Sequence, residues 1–187
     1  DKTMHLSVVS DEAFRLDASQ AICMLIDALR YLSNPEDKVA CASLMMNYES
    51  GIKKQGGDWD SLLTAKPEEA LPEAFVTGME TLRLMPLYEL LEELFSLFEM
   101  KRIEEQDAYL FSFFDAVTEY LQNNSSDLDA FIRYWNETLC NKTIPSGEMD
   151  GIRILSIHKS KGLEFHTVLI PFCDWKLENE TNNQLIW

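Results

Sequence analysis

The chain has 187 residues, of which 46% are hydrophobic, and a formal net charge of −16. This length supports one sizeable core or two small ones, and no apolar run approaches the roughly 20 residues of a membrane span. The net negative charge comes entirely from residues 1–150, which hold 12 Lys or Arg and 28 Asp or Glu. Residues 151–187 hold four of each and have no net charge. Such an acidic body argues against a broad surface for a polyanion and favours a solvated surface, with a docking surface for a basic partner as the alternative.

The ends of the chain and its cysteines bear on its setting. No secretory leader opens the sequence, and Asp1 in place of Met indicates an excised piece of a longer protein. No cysteine belongs to a C-x-x-C pair and each lies in an apolar context, so we expect buried free thiols in a reducing cytoplasm and no zinc site. The four cysteines are Cys23, Cys41, Cys140 and Cys173.

The chain opens with a predicted strand and a predicted helix. The short, partly alternating run Met4–Val9 is typical of a strand. Asp17 or Ser19 is suited to cap a helix that runs to about Leu32, because apolar residues then recur at helical spacing.

A second helix and a loop follow. Asn34–Asp37 combines a capping side chain, a proline and two acids, which predicts a helix start with the proline in its first turn and an end near Tyr48. The glycines of Ser50–Ser61 then predict a loop. Lys53 and Lys54 lie in that stretch and could meet phosphate, but a solvated surface is the favoured interpretation.

From Pro67 to Cys140 the pattern is helical. One helix is expected over Leu71–Leu82, and Pro86 is expected to start the next one. Apolar residues then recur with a period near 3.6, which predicts helices of three to four turns packed on one another, with the aromatic residues in the core. These residues are Leu87, Leu90, Leu91, Leu94, Leu97, Phe98, Leu110, Phe113, Phe114, Val117, Leu121, Leu128, Phe131, Ile132, Trp135 and Leu139.

The segment Gly151–Pro171 reads GIRILSIHKSKGLEFHTVLIP and places a polar turn between two apolar runs. Ile152–Ile157 and Thr167–Ile170 are predicted strands, the second one buried. The connection, His158–Glu164, is short, so the strands form a hairpin or are joined by one tight helical turn. The predicted fold is therefore mainly α with a small β part, in which a helical insertion interrupts a small sheet.

The same segment resembles motif V of superfamily 1 DNA helicases of the UvrD/Rep and RecB/AddA type. In that motif a strand leads into a T-[IVL]-H-x-[SA]-K-G-L-E-F turn. Here Ile157, His158 and the run Ser160–Phe165 match, and Ser156 stands where threonine is usual. Eight matches make the resemblance specific.

A weaker resemblance covers most of the chain. Val8–Phe14 and Asn34–Asp37 are similar to phrases at the entry of the 2B subdomain in RecB/AddA-like proteins, of which exonuclease V beta subunits are examples. There, 2B is a largely helical insertion in the RecA-like α/β motor domain 2A. The resemblance implies a 2A/2B junction strand over residues 1–12, a helical 2B-like insertion over 13–150 and a 2A fragment with motif V over 151–187.

The resemblance also implies roles for the turn. His158 and Ser156 would contact DNA, whereas Gly162, Glu164 and Lys161 would lie at the ATP site, with the glutamate near the ribose hydroxyls. The implied cofactors, ATP and Mg²⁺, belong to the full-length protein. The Walker A lysine and the DExx acids of such motors are expected in domain 1A, and G-x-x-x-x-G-K-[ST] does not occur in this sequence.

The function implied is that of a cytoplasmic, ATP-dependent DNA helicase or helicase–exonuclease subunit that translocates on single-stranded DNA in repair or recombination. Its implied partners are single-stranded and duplex DNA and a partner subunit, without a membrane. The isolated fragment is expected to be inactive as an ATPase and as a nuclease. Two alternatives stay open: an acidic helical module that docks a basic protein, and a small nucleotide-binding enzyme built on the turn His158–Glu164.

Overall fold

A computed structural model describes residues 8–10, 15–54, 65–144 and 152–171 of the chain. The structure is mainly α with a small β part, which confirms the predicted fold class. Its contacts divide the chain into two units, with the boundary between Ile154 and Leu155. The elements are β1 Val8–Ser10, α1 Gln20–Ser33, α2 Lys38–Tyr48, α3 Pro67–Ala70, α4 Glu73–Leu82, α5 Leu87–Leu97, α6 Asp107–Asn123, α7 Leu128–Glu137, β2 Ile152–Ile154 and α8 Ile157–Ser160.

Helix α1 is the centre of the first unit. Ser19 caps it, because its Oγ accepts a hydrogen bond from the backbone N–H of Ile22 at 3.2 Å, and this confirms one of the two predicted caps. The helix contacts α2, α5, α6 and α7, and its side chains are buried on almost every side. A helix that is apolar nearly all round is stable only when other elements cover it.

The start of α2 differs from the prediction. Asn34 ends α1, and its Oδ1 accepts a hydrogen bond from the N–H of Glu36, so Pro35 lies in a turn between the helices. The cap is Asp37, whose Oδ1 accepts from the N–H groups of Val39 and Ala40 at 3.0 and 2.9 Å. The chain reverses over the three residues from Asn34 to Glu36. The helix therefore begins after Asp37, the second of the two capping residues. The predicted end at Tyr48 is confirmed.

The segment after α2 is helical at first, where a loop was predicted. Glu49–Lys53 forms a π-helical turn that continues α2 and ends at Lys54, whose φ is +51°. Gly51 lies buried in this turn against the side chain of Gln20. A Cβ at this position would lie 3.1 Å from Gln20, so a residue without a side chain suits this packing. Residues 55–61 of the predicted loop lie outside the described part of the chain.

The remaining helices pack as their apolar stripes predict. Pro86 precedes α5, whose leucines are buried, and Asp127 caps α7 by accepting from the N–H of Ala130 at 2.7 Å. Phe113 packs edge-on against Phe131 and Trp135 with ring centroids 6.3 and 5.8 Å apart. Phe75, Phe98, Phe113, Phe131 and Trp135 are buried in the core, as predicted, whereas Phe111 is exposed.

Strands β1 and β2 pair in parallel, with Val8 opposite Ile152 and Ser10 opposite Ile154. The helices α1–α7 lie between them in sequence, so the predicted insertion of helices into a small sheet is confirmed. Residues 4–7 of the predicted first strand fall outside the described part of the chain.

Two strand predictions in Gly151–Pro171 were wrong in detail. The strand ends at Ile154 instead of Ile157, because Ser156 caps a helical turn that takes up Ile157. Thr167–Ile170 is not a strand, and Val168, Leu169 and Ile170 are exposed instead of buried. A strand requires a neighbouring backbone for its hydrogen bonds, and none of the described residues pairs with this run.

No helix within the described ranges is both long enough and apolar enough to cross a membrane.

Candidate functional site

Hydrogen bonds of two serines stabilise the polar turn that follows β2. The Oγ of Ser156 accepts a hydrogen bond from the N–H of Lys159 at 3.3 Å, and the carbonyl of Ser156 accepts from the N–H of Ser160 at 3.0 Å. The Oγ of Ser160 donates to the carbonyl of Ile157 at 2.9 Å. These bonds close the single helical turn α8. Because Thr167–Ile170 is not a strand, the turn does not join two strands, and the choice between a hairpin and a helical crossover has no counterpart here.

Gly162 reverses the chain after this turn. Its φ is +83°, in the region that L-residues avoid, and the N–H of Leu163 donates to the carbonyl of Ser160 at 3.1 Å. A Cβ at this position would meet no heavy atom within 4 Å. The glycine is therefore required by backbone conformation and not by crowding, and it leaves open space beside the backbone.

All five predicted site residues are exposed, in the helical turn or just beside it. Ser156 and His158 occupy the cap and the first turn, and Lys161, Gly162 and Glu164 follow it. The side chain of Ser156 is engaged as the cap, whereas those of His158, Lys161 and Glu164 make no hydrogen bond or ion pair with any described residue. Three polar groups of this kind are accessible to a phosphate, a sugar hydroxyl or a base.

The lysines considered as a second phosphate contact have structural roles. The Nζ of Lys53 lies 2.9 Å from Glu49 Oε2, donates to the carbonyl of Ala70 at 3.2 Å and lies 5.3 Å from the ring centroid of Tyr48. Lys54 pairs with Glu104 at 3.3 Å. These contacts hold the turn after α2 in place, and both lysines are exposed, as the favoured interpretation of a solvated surface predicted.

Sequence reasoning missed a polar groove on α1. It has a volume of about 610 Å³, with Asp27 and Arg30 on its floor, Ser43 and Asn47 on the side of α2, and Asn136 on the side of α7. The signal was Asp27, which is the only acid inside the otherwise apolar stretch of α1. Every buried side-chain polar atom in the described ranges has a hydrogen-bond partner, so the groove contains no orphaned group that calls for a ligand.

Cys23, which lines this groove, is a poorly reactive thiol. The Sγ of Cys23 donates to the carbonyl of Asp17 at 3.2 Å, and burial, aided by the charges of Asp27 and Asp17, raises the pKa of Cys23 to about 11. Cys41 is buried and Cys140 is partly buried, and both are free, in agreement with the prediction, while Cys173 lies outside the described residues. A thiol that stays protonated at neutral pH is neither a nucleophile nor a metal ligand, and residues 15–54, 65–144 and 152–171 contain no cluster of metal-ligand side chains.

Comparison with known protein families assigns the chain to one of them. The model of the UvrD-like helicase C-terminal domain matches residues 63–181, which is more than half of the sequence and includes the whole of the polar turn. The chain therefore belongs to the UvrD-like helicase C-terminal domain family. No curated protein and no solved structure matches it.

Proposed function

We propose that the chain is part of an ATP-dependent DNA helicase that translocates on single-stranded DNA in repair or recombination, closest to RecB/AddA-like helicase–exonuclease subunits. Membership of the UvrD-like family supports the motor. The insertion of helices between two parallel-paired strands supports the assignment of residues 1–12 to the 2A/2B junction, 13–150 to a 2B-like insertion and 151–187 to domain 2A.

In this proposal His158 and Ser156 form the DNA contact. The imidazole of His158 is exposed on α8, and the Ser156 cap stabilises the helical backbone that carries it. A ring nitrogen can donate a hydrogen bond to a phosphate oxygen, and the ring face can stack on a base. Both kinds of contact suit a strand that must be held and released in turn.

Lys161, Gly162 and Glu164 form the nucleotide contact. Lys161 supplies a positive charge toward phosphate, and the bare backbone at Gly162 allows an N–H group to approach an anion closely. The carboxylate of Glu164 can accept hydrogen bonds from two ribose hydroxyls. When bound with Mg²⁺, ATP would supply the free energy of translocation through its hydrolysis.

The observation that carries the proposal is the exposure of this whole set on one short turn. The side chains of His158, Lys161 and Glu164 make no hydrogen bond or ion pair with a described residue, and they surround a glycine with positive φ, so they have no role in stabilising the turn itself. Such a turn, attached to the end of a strand, can change its contacts with DNA when its contacts with nucleotide change.

The experiment is made in the complete protein, where His158→Ala and Glu164→Gln separate the two contacts. His158→Ala should lower the DNA-stimulated ATPase rate at least tenfold and leave the DNA-free rate unchanged, because only the DNA contact is lost. Glu164→Gln should raise the KM for ATP several-fold with and without DNA. The control is His166→Ala, because this second exposed histidine forms a hydrogen bond with its neighbour Thr167, at 3.2 Å, and belongs to neither proposed contact.

An unchanged DNA-stimulated rate in His158→Ala would remove the proposed DNA contact. An equal loss in His166→Ala would show that the whole segment, and not His158, is responsible. The 187-residue chain alone should hydrolyse no ATP and cleave no DNA, as its inactivity is part of the proposal.

A further inference from the structure

Helix α6 exposes an aromatic side chain between two carboxylates. Phe111 is 74% exposed, although ten of its helix's seventeen residues are hydrophobic and its neighbours Phe113 and Val117 are fully buried. Asp107 and Asp115 lie four residues before and after it, which places each about 6 Å along the same helix face. A single exposed apolar side chain is common on protein surfaces, and the aromatic and charged groups around Phe111 are what mark it as a candidate interaction site.

The aromatic face continues onto the neighbouring helix. Phe114, one turn after Phe111, packs edge-on against Tyr88 of α5 with ring centroids 5.6 Å apart, and against the buried Phe113 at 5.8 Å. Phe114 and Tyr88 are partly buried, so the rings beside Phe111 are held by the core. Phe111, Phe114, Tyr88, Asp107 and Asp115 are called the Phe111 surface below.

The charge on these helices has one sign. The sequences of α5 and α6 contain six Asp or Glu and no Lys or Arg. Glu119 pairs with Lys142 at 3.6 Å, but Asp107 and Asp115 form no ion pair within the described part of the chain. The Phe111 surface therefore presents an apolar centre with an uncompensated acidic rim.

We propose that the Phe111 surface docks a basic segment of a protein partner, which offers an apolar stripe to Phe111 and Lys or Arg side chains on both sides of it. The carboxylates at i−4 and i+4 would pair with the cations, and the rings of Phe111 and Tyr88 would add cation–π contact. The rim repels nucleic acid, and it also repels a second copy of this acidic chain. The proposal goes beyond the motor function and does not depend on it.

The test uses the 187-residue chain and a labelled synthetic helical peptide of three heptads, with Leu at the a and d positions and Lys at e and g. Fluorescence anisotropy should show saturable binding, weakened at least about tenfold by Phe111→Ala, because a central aromatic anchor dominates such interfaces. The matched control is Leu84→Ala, which removes another exposed apolar side chain, 86% exposed, from a different turn. Circular dichroism should show that both variants fold as the wild type does.

A second arm tests the charge. The double variant Asp107→Asn and Asp115→Asn should bind the peptide several-fold more weakly and should lose most of the salt dependence of binding. Glu137→Gln with Glu80→Gln removes two exposed carboxylates on α7 and α4 and should change neither. A peptide with Glu in place of Lys should not bind.

Several results would overturn the proposal. They are the absence of binding to the Lys peptide, equal binding by wild type and Phe111→Ala, and equal losses in the Leu84 control. Concentration-dependent self-association that Phe111→Ala abolishes would assign the surface to a second copy of the chain. Stronger binding of a single-stranded oligonucleotide than of the peptide at the Phe111 surface would assign it to nucleic acid.

Discussion

Asp27 is the single charged side chain buried in the described part of the chain, and it lies on the central helix. Its carboxylate accepts hydrogen bonds from Ser43 Oγ at 2.5 Å and Asn47 Nδ2 at 3.4 Å, and it pairs with Arg30 at 3.2 Å. Burial raises the pKa of Asp27 above its ordinary value of 3.8, and the contacts with Ser43, Arg30 and Asn47 lower it in part. The acid thus orders the surrounding polar groups at some cost to stability.

The pH dependence of stability should reveal this cost. Because the pKa is raised in the folded state, that state holds the proton longer, and the free energy of unfolding falls as the pH rises above 3.8. Asp27→Asn cannot ionise, so its stability relative to the wild type should grow as the pH rises from 4 to 7. Urea unfolding at several pH values measures the difference.

The control for this change is Asp115→Asn, which alters an exposed carboxylate on α6. A relative stability of Asp27→Asn that stayed constant or fell with pH would contradict the assignment of a raised pKa. A parallel rise in both variants would show a general effect of net charge, which is −16 in the wild type.

At the scale of the element, α6 offers a matched pair of phenylalanines. Phe113 is fully buried and contacts Phe114, Phe131 and Trp135, whereas Phe111 is 74% exposed. Phe113→Ala should lower the free energy of unfolding by about 3–5 kcal/mol, because it removes a buried ring and leaves a cavity. Phe111→Ala should change it by less than about 0.5 kcal/mol.

Urea unfolding followed by circular dichroism measures both variants. Phe113→Leu, with an expected loss of about 1–2 kcal/mol, keeps the comparison possible if the alanine variant does not fold. Similar losses at both positions would mean that the face of α6 assigned to the core is wrong. They would also remove the basis for treating Phe111 as a free anchor.

The helices could be predicted from the sequence because their signals are local. The cap at Ser19 and the leucine stripe of α5 each lie within a few turns of the residues that they order. The strand predicted at Thr167–Ile170 failed because apolar composition does not supply a pairing partner. Asn34 and Asp37 are both good caps, and only the length of the turn between the helices decided for Asp37.

The candidate site was only partly predictable for the same reason. The string around His158 identified the turn, because its residues are contiguous in the sequence. The groove around Asp27 brings together side chains from α1, α2 and α7 that are up to about a hundred residues apart. Phe111 resembles the core phenylalanines in sequence, and packing alone leaves it exposed.

At the scale of the whole molecule, the charge is divided along the chain. Residues 1–150, which contain the helices α1–α7, carry the entire net charge of −16, and residues 151–187, which contain the polar turn, are neutral. Binding of DNA to a protein depends on the number of phosphates that Lys and Arg neutralise. The helical part therefore acts against DNA binding, and the neutral segment contributes too few cations to reverse the balance.

This division predicts that the 187-residue chain alone binds single-stranded DNA weakly, with a Kd above about 100 µM at 100 mM NaCl. Lowering the salt should strengthen the binding little, because acidic side chains repel the strand while few cations attract it. Anisotropy of a labelled oligonucleotide measures this, with the complete protein as the positive control. Tight binding by the chain, with a steep loss on adding salt, would show that its described surfaces form a cationic track despite the net charge, and DNA contact in the motor would then extend well beyond His158 and Ser156.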